Sequence, residues 1–357
     1  MVFQHMASLG GVLAKRAVDM SNGEIPGDDM AQLPGWAVLV FFADFLVFLP
    51  VFLYIGYTLT QIYPTLAIIE DPEPPAATYS AVSLNANEPS AVVDGADGVL
   101  ITSSLRRTNR LLFSTAGWTA NFRGYDCAIV ASLAAGLCGV VFGPWVPRFL
   151  IMLIAGLSTV QLSAAWTHIV ISMPSERRFW RRLPPFVKTF QATWLPITAY
   201  CVATEVTHLL PRLLLKLFGF SQWDFRNPTS VPNYSHHALW QSFLVVLVAI
   251  ASTVLLMIPA HVILCRVQAS FLPPDEDTIV PFDRSFGGVV EPAVVTGKGY
   301  VDFVTAWRTF SRESWIRLYK LLAKIALVTW AVYAVVLMIV VPELILMVQT
   351  ARPADGL

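Results

Sequence analysis

Six stretches of the chain stay apolar for about 20 residues or more, and polar, proline-rich or basic segments separate them. They cover residues 36–60, 126–146, 149–171, 190–215, 239–264 and 323–348. A bilayer's hydrocarbon core is roughly 30 Å thick and a helix rises about 1.5 Å per residue, so each stretch is long enough to cross. The pattern predicts an all-α, polytopic helical membrane protein with about six transmembrane helices and interfacial amphipathic helices. The second stretch is rich in Ala and Gly. Gly143, Pro144, Trp145 and Pro147 follow it at once, so residues 126–171 are expected to form a helical hairpin. Ala131, Ala135, Gly139 and Gly143 recur every fourth residue and give its first helix a smooth ridge for close packing.

The connections have their own textures. Residues 70–100, rich in Pro, Ala, Ser and acidic groups, show no helical or strand period and read as a disordered linker. The segment 101–125 mixes Arg106, Arg107 and Arg110 with bulky apolar residues, as interfacial segments do, and the loop 172–189 repeats that mixture in Arg177, Arg178, Arg181 and Arg182. Residues 265–300 form a further loop. Over 301–322 a helical wheel gathers Phe303, Trp307, Phe310, Trp315, Leu318 and Leu322 on one arc and Arg308, Arg312, Arg317 and Lys320 on the other. This segment is expected to lie flat in the headgroup region before bending into the last span. Anionic lipid is the natural contact of Arg177, Arg178, Arg181, Arg182, Arg308, Arg312 and Arg317.

Charge sets the expected sidedness. Of 24 Lys and Arg residues, 17 fall in the connections after the first, third and fifth spans or, as Lys324, at the edge of the sixth span beside them. Basic loops stay cytosolic, so both termini, residues 1–35 and 349–357, are predicted to be luminal or extracellular. The stretch Ala7–Ala14 is short and holds two glycines, which argues against a cleaved signal peptide. The loop 216–238 falls on the luminal side and carries Asn233-Tyr234-Ser235, a glycosylation candidate at Asn233. The expected location is a membrane of the ER and secretory pathway or the plasma membrane.

Composition agrees with the pattern: 55% of residues are hydrophobic, 13% are charged, and the mean hydropathy is +0.61. A net charge of zero offers no global field for nucleic acid. Candidate chemistry is sparse. Asp44 lies near the middle of the first span, and Thr198, Cys201, Glu205, His208 and Arg212 form one polar stripe on the fourth. Ionisable groups inside spans point to transport paths, which makes Asp44, Glu205 and His208 the candidates for a proton or solute path; the bland alternative is a structural contact, with Glu205 paired to Arg212. His168 and His261 sit near the cytosolic ends of their spans but lack the i, i+4 spacing of a metal-binding pair. No phosphate loop, HExxH helix or GxSxG elbow occurs, so no cofactor, metal site or catalytic residue is expected. Gly287-Gly288 reads as a turn.

The runs Ile101-Thr102-Ser103-Ser104-Leu105-Arg106, Phe122-Arg123-Gly124, and Ala165-Trp166-Thr167-His168 with Pro174-Ser175 resemble a family of uncharacterised multi-pass membrane proteins of filamentous fungi. The resemblance implies similarity from the first span to the last and no catalytic residues. Some members carry a ubiquitin-carrier or ubiquitin-conjugating name, but no cysteine here lies in a soluble segment fit to hold a thioester. The expected role is a lipid-associated or scaffolding membrane component, with membrane lipids and, through the cytosolic loops, proteins as partners. A carrier using the fourth-span stripe is the first alternative, and a membrane-embedded transferase the second.

Overall fold

The structure is a computed structural model that describes residues 35–71, 100–220, 237–290 and 298–350. The described residues are helical and contain no strand; one isolated antiparallel bridge joins Ser172 to Thr278. The principal helices are α1 (Trp36–Ile69), α2 (Leu105–Ala116), α3 (Tyr125–Phe142), α4 (Arg148–Ser158), α5 (Val160–Ile171), α6 (Phe186–Leu217), α7 (Ala238–Ser270), α8 (Phe303–Arg308) and α9 (Arg312–Thr350). Among the described residues four stretches are long and apolar enough to cross a membrane: α1, the run from α2 through α3, α7 and α9. A fifth is added if α4 and α5, bent by 61° at Thr159, act as one span. The stretch expected as a third straight span is therefore two helices joined at a bend. The fourth, predicted at 190–215, does form the 32-residue α6, but four charged residues, five threonines and two prolines leave it outside the strongly apolar set.

Three of these helices are longer than a bilayer requires, because each does two jobs along its length. On α1 the side chains from Trp36 to Phe52 are mostly exposed, as are those from Leu327 to Leu346 on α9; from Leu239 to Leu256 on α7 half are exposed and only Val245 and Ser252 are buried. These stretches span roughly 26–30 Å each, the thickness of the hydrocarbon core. Only 6% of the most apolar window of α1 or of α9 is buried in protein, so lipid is the medium that such side chains fit. Beyond them the character reverses. Residues 62–69 of α1, Val262–Ser270 of α7, and Leu318, Leu321 and Ile325 of α9 are buried, and Ile62, Leu66, Val262, Cys265, Ala269, Leu318, Leu321 and Ile325 share one core with Leu112, Ala165 and Val170. Helices α1 and α9 run antiparallel: Phe52 meets Tyr333 at a 5.8 Å ring distance, and further out Asp44 meets Glu343.

Polar groups tie the packed half together. Tyr57 donates to the Arg123 carbonyl and accepts from Trp166 Nε1 at 2.9 Å. Arg123 bonds the carbonyls of Ile169 and Ser172. Gly124, with φ of +66°, turns the chain into α3 where a side chain would press on Trp166 at 3.2 Å. The Arg266 guanidinium bonds the Ala306 carbonyl (3.1 Å) and the Thr309 hydroxyl (2.9 Å) and lies over the rings of Phe286 and Phe310. An ammonium can reproduce neither this fork nor the stacking. Arg266→Lys should therefore cost about 2 kcal/mol, read as a lower melting temperature in detergent.

Several expectations change in detail. The segment 301–322 is not one flat helix: it breaks after α8, and residues from Arg312 onward are a direct extension of the last span. Its apolar arc contributes Phe310 and Leu318 to the protein core, because a packed interior was available to cover them. By contrast α2 keeps its amphipathic form, with Thr108 and Leu112 inward and Arg106, Arg107 and Arg110 exposed. The small-residue ridge on α3 is its buried face at Ala131, Ala135 and Gly139, packed toward α4 and α5. Gly287 and Gly288 do occupy a turn, with φ of +71° and +81°, organised by Asp283, whose carboxylate accepts from the amides of Ser285 and Gly287. Of the expected linker, Glu70 is instead a buried anchor, and residues 72–99 lie outside the described residues. So does the glycosylation candidate Asn233.

Candidate intramembrane cavity

Two helices change their winding at the level where lipid-facing and packed halves meet. Tyr54–Ile62 of α1 and Thr253–Met257 of α7 are π-helical. Each precedes a proline, Pro64 or Pro259, whose missing N–H breaks the ordinary i→i−4 ladder; wider i→i+5 bonding is one way to absorb the defect. The widened turns leave carbonyls for other donors: Tyr319 on α9 donates to the Val254 carbonyl at 2.9 Å, and Gln61 reaches the Gly56 carbonyl at 3.3 Å.

Both π turns wall the same cavity. It has a volume of about 760 Å³, within the roughly 300–1,000 Å³ of small-molecule sites, and it lies among α1, α5, α6, α7 and α9. Its apolar wall comes from both halves of the molecule, with Ile250, Met257, Leu322, Ala326 and Trp330 among the contributors. Trp330 is 74% exposed and Ile250 57%, which puts the mouth between α7 and α9 on the lipid-facing surface. The polar contributions are Gln61, His261, Gln268, Tyr319 and a few hydroxyls. Gln268 is committed, accepting from Thr167 at 2.6 Å and donating to Ser163 at 2.9 Å. The His261 ring stands 3.4 Å from the Cys265 thiol and beside Tyr200. His168 makes its own bond to the Gln268 carbonyl, so the two histidines serve separate places.

The sequence-predicted residues are distributed differently from the path drawn through them. Glu205 pairs with Arg148 at the start of α4, at 3.7 Å, and not with Arg212. The turn after α3 brings that arginine back along α6, a proximity invisible from spacing on α6 alone. Cys201 of the same stripe is buried with its thiol 3.8 Å from the Met152 carbonyl. Asp44 lies beside Glu343 on α9. With both arginine and glutamate partly exposed, Arg148→Ala should cost under about 1 kcal/mol, measured by thermal unfolding in detergent.

Among the seven arginines assigned to lipid, Arg177, Arg178, Arg181, Arg308 and Arg312 are exposed. Two are not available. Arg182 is 5% exposed and bonded to Glu276 and Ser172, and Arg317 is 7% exposed and paired with Glu70. Both are held by carboxylates from distant segments, which a helical wheel of their own segment cannot register. The cavity itself escaped the sequence, though the prolines at 64 and 259 inside long apolar helices marked its walls. Searches of protein-family models, curated proteins and solved structures found no match to this chain.

Proposed function

We propose that this chain is a multi-pass protein of a secretory-pathway or plasma membrane that holds a lipid molecule between its helices. The observation that carries this reading is the cavity flanked by two π turns and open toward the bilayer. π turns recur at functional sites because the widened winding is retained where it shapes a binding wall. Six spans complete the reading: α6, lined outward by Phe190, Trp194, Val202 and Leu213, crosses with its threonine-rich face inward, and α4 with α5 make the broken third span. The packed half, surrounded by exposed arginines, then faces the cytosol and both termini face away from it. Exposed Arg106, Arg107, Arg177, Arg308 and Arg312 hold the protein to anionic headgroups. Native mass spectrometry of protein extracted in mild detergent tests the reading. One lipid should remain bound per chain after delipidated protein has been set beside it as control; a bare chain under the same release energies contradicts it.

A second reading, a proton-coupled carrier, draws on Asp44 and Glu343, two carboxyl side chains side by side within the lipid-facing part of the bundle. It requires Asp44→Asn with Glu343→Gln to abolish proton flux in vesicles loaded with a pH-sensitive dye. Vesicles that leak protons no faster than empty ones remove it.

A further inference from the structure

The charge pattern around the cavity identifies the class of molecule that fits it. Not one of the lining residues is Lys, Arg, Asp or Glu, although the chain has 48 of them. The buried arginines Arg317 and Arg266 do not line it, and their charges face Glu70 and the Ala67 carbonyl, and Ala306 and Thr309, respectively. A phosphate or carboxylate drawn into this space would give up its hydration and meet no counter-charge. A hydrogen-bonding head without charge meets several partners.

One of those partners is unused. Helical threonines in this protein regularly bond the carbonyl four residues back, as Thr60, Thr65, Thr193, Thr198, Thr204 and Thr253 all do. Thr329 lines the cavity and does not: its hydroxyl is buried and has no hydrogen-bond partner among the described residues. A buried hydroxyl left unpaired is costly, and a ligand group that completes it recovers that cost. Tyr319 and His261 add acceptor and donor capacity within the same lining. Trp166, Tyr200 and Trp330 contribute aromatic rings to the same lining. Such walls favour a rigid apolar body, which loses less conformational freedom on binding than a flexible chain.

We propose that the occupant is an uncharged membrane amphiphile of sterol size, with a hydroxyl head at Thr329 and an apolar body along the α7 and α9 wall. This rests on the reading of the cavity as a lipid site. A two-chain lipid such as diacylglycerol shares the head chemistry, but its second chain would remain outside a cavity of this volume.

The test uses the full chain in phosphatidylcholine vesicles carrying, in separate arms, a photoactivatable sterol, a photoactivatable diacylglycerol or a photoactivatable phosphatidic acid. Crosslinked peptides are mapped with and without excess unlabelled competitor. The expected result is competable sterol labelling on the α7 and α9 segments that line the cavity, reduced about fivefold by Thr329→Val, whose shape is unchanged. Ala326→Trp, which fills the space instead of removing a hydrogen bond, should abolish it. Stronger labelling by diacylglycerol or by phosphatidic acid at these segments overturns the assignment of the ligand while leaving a lipid site in place. Labelling unaffected by Thr329→Val overturns the placement of the head. No labelling of the cavity by any arm, in protein that elutes as a single folded species, overturns the lipid site as well.

Discussion

Arg317→Ala lowers the stability of this protein by about 3–5 kcal/mol, a drop of roughly 5–10 °C in the melting temperature measured in detergent. The reason lies in what the substitution leaves behind. The Glu70 side chain is 1% exposed, and its carboxylate accepts from the Ile101 amide at 2.7 Å, the Thr102 amide at 3.1 Å and the Thr102 hydroxyl at 2.5 Å. Arg317 Nη1, 3.3 Å away, supplies the balancing charge, and its Nη2 bonds the carbonyls of Ala67 and Glu70. Removing the guanidinium strands a carboxylate in a dry interior. Glu70→Gln keeps an acceptor for the Thr102 groups without the charge, so Arg317→Ala combined with Glu70→Gln should lose clearly less than the two single changes added together. Strict additivity would show that the pair is not coupled. The contact also joins the end of α1 to the chain just before α2 and to the start of α9, so the packed half loosens as a unit when it is broken.

The second large effect concerns occupancy. Ala326→Trp should reduce the lipid that remains bound through purification by more than about tenfold, while the melting temperature of delipidated protein changes little. Ala326 lies on the cavity wall and is itself exposed, so a larger side chain there occupies the ligand's space without displacing core neighbours. Overpacking of a tight core would cost about 1–3 kcal/mol, and its absence in the delipidated protein separates a filled cavity from a damaged fold. Lipid extraction followed by quantification per mole of protein reads the result. Unchanged lipid content would place the bound molecule elsewhere on the surface.

How far the sequence discloses this organisation differs by level. The apolar runs announce membrane-spanning helices because a 20-residue hydrophobic stretch has few other solvents. The same runs conceal where lipid ends and protein begins, since Leu66–Ile69 is apolar like Trp36–Phe52 and tertiary burial is what distinguishes them. The break at Thr159 was hidden for a related reason: both arms of the bend are apolar, and no proline or glycine stands at the joint. Spacing along α6 correctly aligned Glu205 with Cys201, yet the partner of Glu205 came from α4, which only the hairpin turn brings near. The charged residues on the wheel of 301–322 were separable by angle but not by role, because Arg317 answers a glutamate 247 positions earlier. The cavity is a property of five helices together and has no linear signature beyond the two prolines that unsettle its walls.

The division of each long helix into a lipid-facing and a protein-packed part is what the rest depends on. Site-directed nitroxide labels at single cysteines, placed every third residue along α1, α7 and α9 in vesicles, measure it through collision with oxygen, which concentrates in hydrocarbon. High oxygen accessibility is expected at most positions within 36–52, 239–256 and 327–346, followed by an abrupt fall over 62–69, 262–270 and 314–325. Uniform accessibility along all three helices, or immobile, oxygen-shielded labels at Leu39, Val246 and Leu337, would contradict it.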